Sequence, residues 1–127
     1  MNAPISSLMS SPVWTVDLDD TIAKVERRLR ENGLSWAPVV EGGSKVVGVI
    51  SSSDLLHFHA QQRDAAAVRA WELCSYKPLI FDEATPVTEV ARAMVEQRLH
   101  HVVVTGRAGL AGVVSSLDFV KTFVDKL

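Results

Sequence analysis

GVISSSDLLHF, residues Gly48–Phe58, reads as a short buried strand, a serine-rich turn and the first turns of a helix. Its counterpart is GVVSSLDFVKT, Gly112–Thr122. Gly48, Val49, Ser51, Ser52 and Asp54 recur as Gly112, Val113, Ser115, Ser116 and Asp118. Ile50 becomes Val114 and Leu55 becomes Phe119, apolar for apolar. A strand–turn–helix used twice implies two copies of one unit. The polar groups that call for an explanation are Ser51-x-x-Asp54 and Ser115-x-x-Asp118.

Working outward, the elements on either side repeat as well. Ile5–Met9 forms one apolar turn and Val13–Val16 a brief strand. Asp19 and Asp20 stand where a helix start favours acids. Ile22, Val25 and Leu29 follow at helical spacing, and Asn32-Gly33 closes the helix. Trp36–Val40 and Val46–Ile50, joined by Glu41-Gly42-Gly43-Ser44, read as a hairpin, and a helix runs from Ser51 to about Gln62. In the second half Val68–Cys74 matches the entry segment and Pro78–Phe81 the short strand. Thr85-Pro86 starts a helix, with Thr85 as its cap and Pro86 in the first helical position. Val87, Val90 and Met94 repeat the stripe of Ile22, Val25 and Leu29. His101–Thr105 and Leu110–Val114 form the second hairpin, and Ser116–Leu127 the closing helix. Each half reads β-α-β-β-α. The expected fold class is α/β (α+β), with residues 1–62 and 68–127 as units and 63–67 as linker.

Bulk properties narrow the function. The 127 residues are 47% apolar and 22% charged, the balance of a globular domain. Net charge is −2 with scattered cations, which argues against nucleic acid and anionic membranes as partners. No apolar run spans a bilayer, the N-terminus does not read as a secretory signal, and Cys74 is the lone cysteine. A reducing cytoplasm is the expected compartment. No nucleophile elbow, Gly-rich loop before lysine, HExxH or meaningful Cys–His spacing occurs, so no enzyme is expected. His57 and His59 sit about 200° apart on a helix and make a poor metal pair.

GLSWAPVV (Gly33–Val40), VVGVISSSDLL (Val46–Leu56), LHHVVV (Leu99–Val104) and LAGVVSSLDFV (Leu110–Val120) together resemble the CBS-domain family, specifically a tandem pair or Bateman module. The resemblance covers about Ile5 to Phe123. It implies two pseudo-twofold-related units packed as one compact module, clefts between them that take adenosyl ligands, and pairs that dimerise. By resemblance Asp54 and Asp118 contact ribose, and Ser51 and Ser115 approach phosphate, with Ser53 as an extra hydroxyl. A carboxylate accepting from two vicinal hydroxyls and an anion at a helix N-terminus are physically apt for those roles. The remaining walls would come from Leu34, Ser35, Trp36 and Pro38 in the first half and Leu99, His100 and His101 in the second. Val103 stands where Pro38 stands in the first half, which would loosen that wall. His100 and His101 alternate along a strand, so at most one enters a given pocket.

Each site residue also has a plainer reading. Ser-x-x-Asp before an apolar run is a helix capping box. Trp36 stacks on a purine or fills the cleft. Glu89, Glu96, Arg92 and Arg98 read as a solvated helix face. The expected function is a regulatory, non-catalytic sensor of an adenosyl nucleotide bound between the two units, signalling to a separate protein. AMP is favoured over ATP, because the motif positions supply no Lys or Arg, and S-adenosylmethionine or NAD stay open. No cofactor is required, and a homodimer is expected. The alternative is a dimerisation or protein-interaction module with filled clefts.

Overall fold

The computed structural model describes residues 2–127. Its contacts divide the chain into two units. One is Trp14–Pro78; the other combines Leu79–Leu127 with the N-terminal segment through Val13. In the first, β1 (Val16–Asp17), α1 (Ile22–Glu31), β2 (Trp36–Glu41), β3 (Lys45–Ser51) and α2 (Ser52–Ala60) follow in order. The second repeats the order with β4 (Ile80–Asp82), α3 (Val87–Gln97), β5 (His101–Gly106), β6 (Gly109–Ser115) and α4 (Ser116–Val124). Each unit has a three-stranded sheet in which the short first strand runs parallel to the central one and the hairpin is antiparallel. The fold class is therefore mixed α/β, with the β-α-β-β-α order used twice.

In the unit Trp14–Pro78, Thr21 caps α1 by accepting the Lys24 N–H at 3.2 Å. The acids expected to cap it do other work: Asp20 accepts the Asp17 N–H at 2.8 Å and pairs with Lys24 at 3.1 Å. Ile22, Val25 and Leu29 are buried among Val39, Ile50, Leu55 and Phe58. The expected linker is bonded into this unit, since the Ala65 carbonyl accepts the Ala23 N–H at 3.0 Å. The chain then makes a 3-10 turn at Ala70–Glu72, and Ser75 pairs with Val49 through reciprocal 2.9 Å hydrogen bonds. That pairing explains Gly48, where a Cβ would lie 2.5 Å from the Ser75 carbonyl oxygen.

The other unit is built alike from the opposite entry segment. Ile5, in the 3-10 turn Ile5–Ser7, is fully buried with Val87, Val90, Met94, Val102, Val104 and Val114. Ser10 pairs with Val113, and a Cβ on Gly112 would lie 2.6 Å from Met9 Sδ. The packing units thus differ from the sequence repeat, each taking the entry segment that belongs to the other repeat. Thr85 does not cap α3. Pro86 is the N-cap and Val87 the first helical residue, because the Val87 N–H is satisfied by the Ala3 carbonyl at 2.8 Å while the Thr85 N–H closes a turn onto Asp82.

Two substitutions in the repeat alter the second unit. Gly33 follows α1 with φ +62°, a left-handed conformation natural for glycine. Its counterpart after α3 is Arg98, with φ +55°. The surrounding bonds are conserved in geometry: Leu34 N–H donates to Leu29 at 2.8 Å and Leu99 N–H to Met94 at 3.0 Å. Phe58, fully buried in α2, has Thr122 as counterpart, and the Thr122 hydroxyl donates to the Asp118 carbonyl. Without that anchor α4 buries no side chain completely, and it ends at Val124 rather than running to Leu127.

Candidate functional site

The two serine-rich turns are capping boxes. Ser51, in extended conformation, ends β3 and starts α2. Asp54 Oδ2 accepts the Ser51 N–H at 2.8 Å and the Ser51 hydroxyl at 3.0 Å, while the Asp54 N–H donates to Ser51 Oγ at 3.3 Å. At the start of α4, Asp118 Oδ2 accepts the Ser115 N–H at 2.7 Å and the Ser115 hydroxyl at 3.2 Å. An acid in the first turn also complements the helix dipole. Both carboxylates use Oδ2 in the cap, so Oδ1 takes no part in it.

In the second unit His101 is paired directly with Ser115 across the β5–β6 hairpin, which brings His101, Ser115 and Asp118 to one end of the sheet. His101 is half-buried. Burial pushes its imidazole pKa down, the neighbouring His100 pushes the same way, and Asp118 opposes in part. The equivalent end in the other unit pairs Trp36 with Ser51 and carries Asp54. There Ser53 is exposed, Leu34 and Trp36 are half-buried and Pro38 is buried in the sheet. Ser35 is exposed and contributes its carbonyl, which accepts from the Ser52 N–H at 2.9 Å and hydroxyl at 3.2 Å. At Val103, where the other unit has Pro38, the N–H donates to the Leu79 carbonyl at 2.9 Å, a bond proline cannot make.

The two histidines part at the start of β5, where His100 precedes the strand and His101 is its first residue. His100, with Leu99, lines a cavity of about 440 Å³ that runs along α3 and the first turn of α4. Its walls include Met94, Val95 and Phe119, and its polar groups are Arg98, His100 and Ser116. Ser116 rather than Ser115 lines this cavity, and His101 is not among its lining residues. Arg98, read from sequence as part of a solvated face, is exposed, ends α3 in the left-handed conformation and also borders the cavity. The signal for Arg98 was available in the repeat, since it stands where the first half has Gly33. Among the described residues no group of three His, Cys, Asp or Glu side chains is placed to hold a metal ion. No described helix is long and apolar enough to cross a membrane.

The repeated hairpin, its capped helix and the exchanged entry segments define a tandem of one small module. Residues 5–60 and 70–125 each match the CBS domain, and the chain belongs to the CBS domain family as a tandem pair. It is 23% identical over 126 residues to an uncharacterized 17.7 kDa protein of Acidianus ambivalens, spanning 98% of this chain and 76% of that one. It is 26% identical over 127 residues to an uncharacterized protein of Methanocaldococcus jannaschii, of which it spans 46%. The fold is shared with the CBS domain pair of protein MJ0100 in complex with 5′-methylthioadenosine and S-adenosyl-L-methionine, at TM-score 0.88, 23% identity and 100% of both chains. It is shared as well with the CBS domain of a bacterial CNNM/CorC family Mg²⁺ transporter in complex with ATP, at TM-score 0.86 and 20% identity, over 96% of this chain and 87% of that one.

Proposed function

We propose that this CBS pair is a regulatory, non-catalytic module that binds an adenosyl-containing ligand and passes the signal to a separate protein. The observation that carries the reading is the cluster of His101, Ser115 and Asp118 at one end of the second unit's sheet. In this assignment Asp118 Oδ1 accepts from the ribose hydroxyls while Oδ2 keeps the helix capped. The Ser115 hydroxyl, the first N–H groups of α4 and His101 receive an anionic group. Asp54, Ser51 and Ser53 form the matching set in the other unit, with Leu34, Ser35, Trp36 and Pro38 as its wall. Similar structures hold methylthioadenosine with S-adenosylmethionine, and ATP, which supports an adenosyl ligand. AMP is favoured over ATP, since the cluster has a histidine and hydroxyls but no Lys or Arg.

A thermal-shift panel of AMP, ADP, ATP, NAD, S-adenosylmethionine and GMP tests the proposal. A ligand at about 100 times its Kd stabilises by roughly 2.7 kcal/mol, a rise of several degrees in Tm. A selective rise with one adenosyl compound supports the sensor. No rise with any of them at millimolar concentration favours the interaction module instead.

One observation gives that second reading weight and also supports a homodimer. Val95 is 78% exposed, and Leu117, Val120 and Phe123 on α4 are more than half exposed. Together with the α3–α4 cavity they form an apolar face suited to a second copy of the chain. In this proposal dimerisation covers that face while the polar cluster on the sheet end senses the ligand.

A further inference from the structure

A second hollow lies on the unit Trp14–Pro78 and shares no residue with its capping box. It measures about 350 Å³ and is lined by Trp14, Lys24, Arg27, Arg28, Glu31 and Asn32. Three cations face one carboxylate there, on a chain whose net charge is −2. Two of the polar groups are already engaged: Lys24 pairs with Asp20 at 3.1 Å, and the Asn32 amide donates to the Arg28 carbonyl at 2.8 Å. Among the described residues, neither Arg27 nor Arg28 belongs to an ion pair.

Arg28 is the better ordered of the two by its contacts. Its guanidinium carbon sits 5.4 Å from the centre of the Trp14 ring, within cation–π range. Its Nε is buried and has no hydrogen-bond partner among the described residues. Trp14 is 50% exposed, so half of its surface stays open to solvent beside Arg28. A guanidinium held against a ring has less freedom left to lose, which suits it to oxyanion recognition. Arg27, exposed one residue before it, supplies a second fork to the same hollow.

We propose that this hollow binds the phosphoryl group of a small phosphomonoester. Its dianion matches the two unpaired guanidinium groups, and the exposed indole gives the organic part a face to lie on. A phosphoryl group presents three oxygens and can engage both guanidinium forks at once, whereas a carboxylate monoanion offers two oxygens and half the charge to the same net positive hollow. The site is independent of the adenosyl proposal, since it shares no residue with either capping box.

The test is a titration of the full chain, followed by the arginine Nε–Hε and Trp14 indole N–H resonances. Inorganic phosphate, phenyl phosphate and acetate are added at constant ionic strength. Both phosphates should move the Arg28 and Trp14 signals saturably, with a Kd on the order of 1 mM or tighter, and acetate should leave them in place. Arg27→Gln, on an exposed position, should weaken phosphate by about tenfold with the fold intact, and Arg27→Lys should recover part of it. Equal response to acetate and phosphate would overturn the phosphoryl assignment. Absence of saturation, or a phosphate response unchanged in Arg27→Gln, would overturn the site.

Discussion

Arg98→Gly should make the protein more stable. Arg98 holds φ +55° at the end of α3, while Gly33 holds φ +62° at the equivalent place after α1. The left-handed conformation disfavours a residue with a Cβ by roughly 1–2 kcal/mol relative to glycine. Glycine also gains more freedom in the unfolded chain, which offsets about 0.5–1 kcal/mol. The net expectation is a stabilisation of about 0.5–1 kcal/mol, or roughly 2–4 °C in Tm for a chain of this length. Urea and thermal unfolding followed by circular dichroism measure it. Arg98→Ala is the control, because alanine keeps the Cβ while removing the guanidinium. If the backbone is the cause, glycine stabilises and alanine does not. Equal behaviour of the two variants, or a loss of stability in Arg98→Gly, would refute the reasoning and place the energetics in the side chain at the α3–α4 cavity.

Other perturbations separate the two units and their surfaces. Gly48→Ala sets a methyl group 2.5 Å from a backbone oxygen, so it should destabilise by about 1–3 kcal/mol in urea unfolding. Gly112→Ala meets the flexible Met9 side chain and should lose less. The depressed pKa of His101 means that the unfolded chain takes up its proton first as pH falls. Its contribution to stability is therefore complete above the ordinary histidine pKa, about 6.5, and is lost as pH falls through the lower folded value. His101→Gln should flatten that part of the stability–pH curve, read from Tm across the acidic range. Val120→Lys with Phe123→Lys should shift sedimentation toward monomer with the circular dichroism spectrum unchanged, since both side chains are more than half exposed.

Much of the fold was legible because two independent signals coincided. The stripe Ile22, Val25, Leu29 returns as Val87, Val90, Met94, and each stripe is buried as its spacing predicts. The exchange of entry segments was not legible. Ile5–Ser7 and Ala70–Glu72 both form 3-10 turns, and nothing local in either says which sheet it crosses. The close approaches at Gly48 and Gly112 and the bonds of Ile5 to Thr85 and of Ala70 to Asp20 reveal it, and all pair residues far apart in the chain. Helix starts misled for a related reason: Val87 takes its carbonyl partner from Ala3, so Thr85 has no orphan donor to cap. The site was half legible. Ser-x-x-Asp announced the capped helices, but β5 begins only at His101, so the separation of His100 from it does not come from strand alternation. Arg98 reads as a solvated residue and is exposed, and only its alignment with Gly33 in the repeat signals the left-handed backbone it carries.

The central claim is that Asp118 is a ligand carboxylate as well as a cap. Asp118→Asn separates these roles, because the amide oxygen still accepts the Ser115 N–H while the charge is lost. Isothermal titration of AMP into the wild type and this variant is the direct measurement. The account predicts a Kd weakened by about tenfold or more in Asp118→Asn, with Tm nearly unchanged. An unchanged Kd in Asp118→Asn would contradict it, and an unchanged Kd in Asp54→Asn as well would leave both carboxylates as helix caps alone.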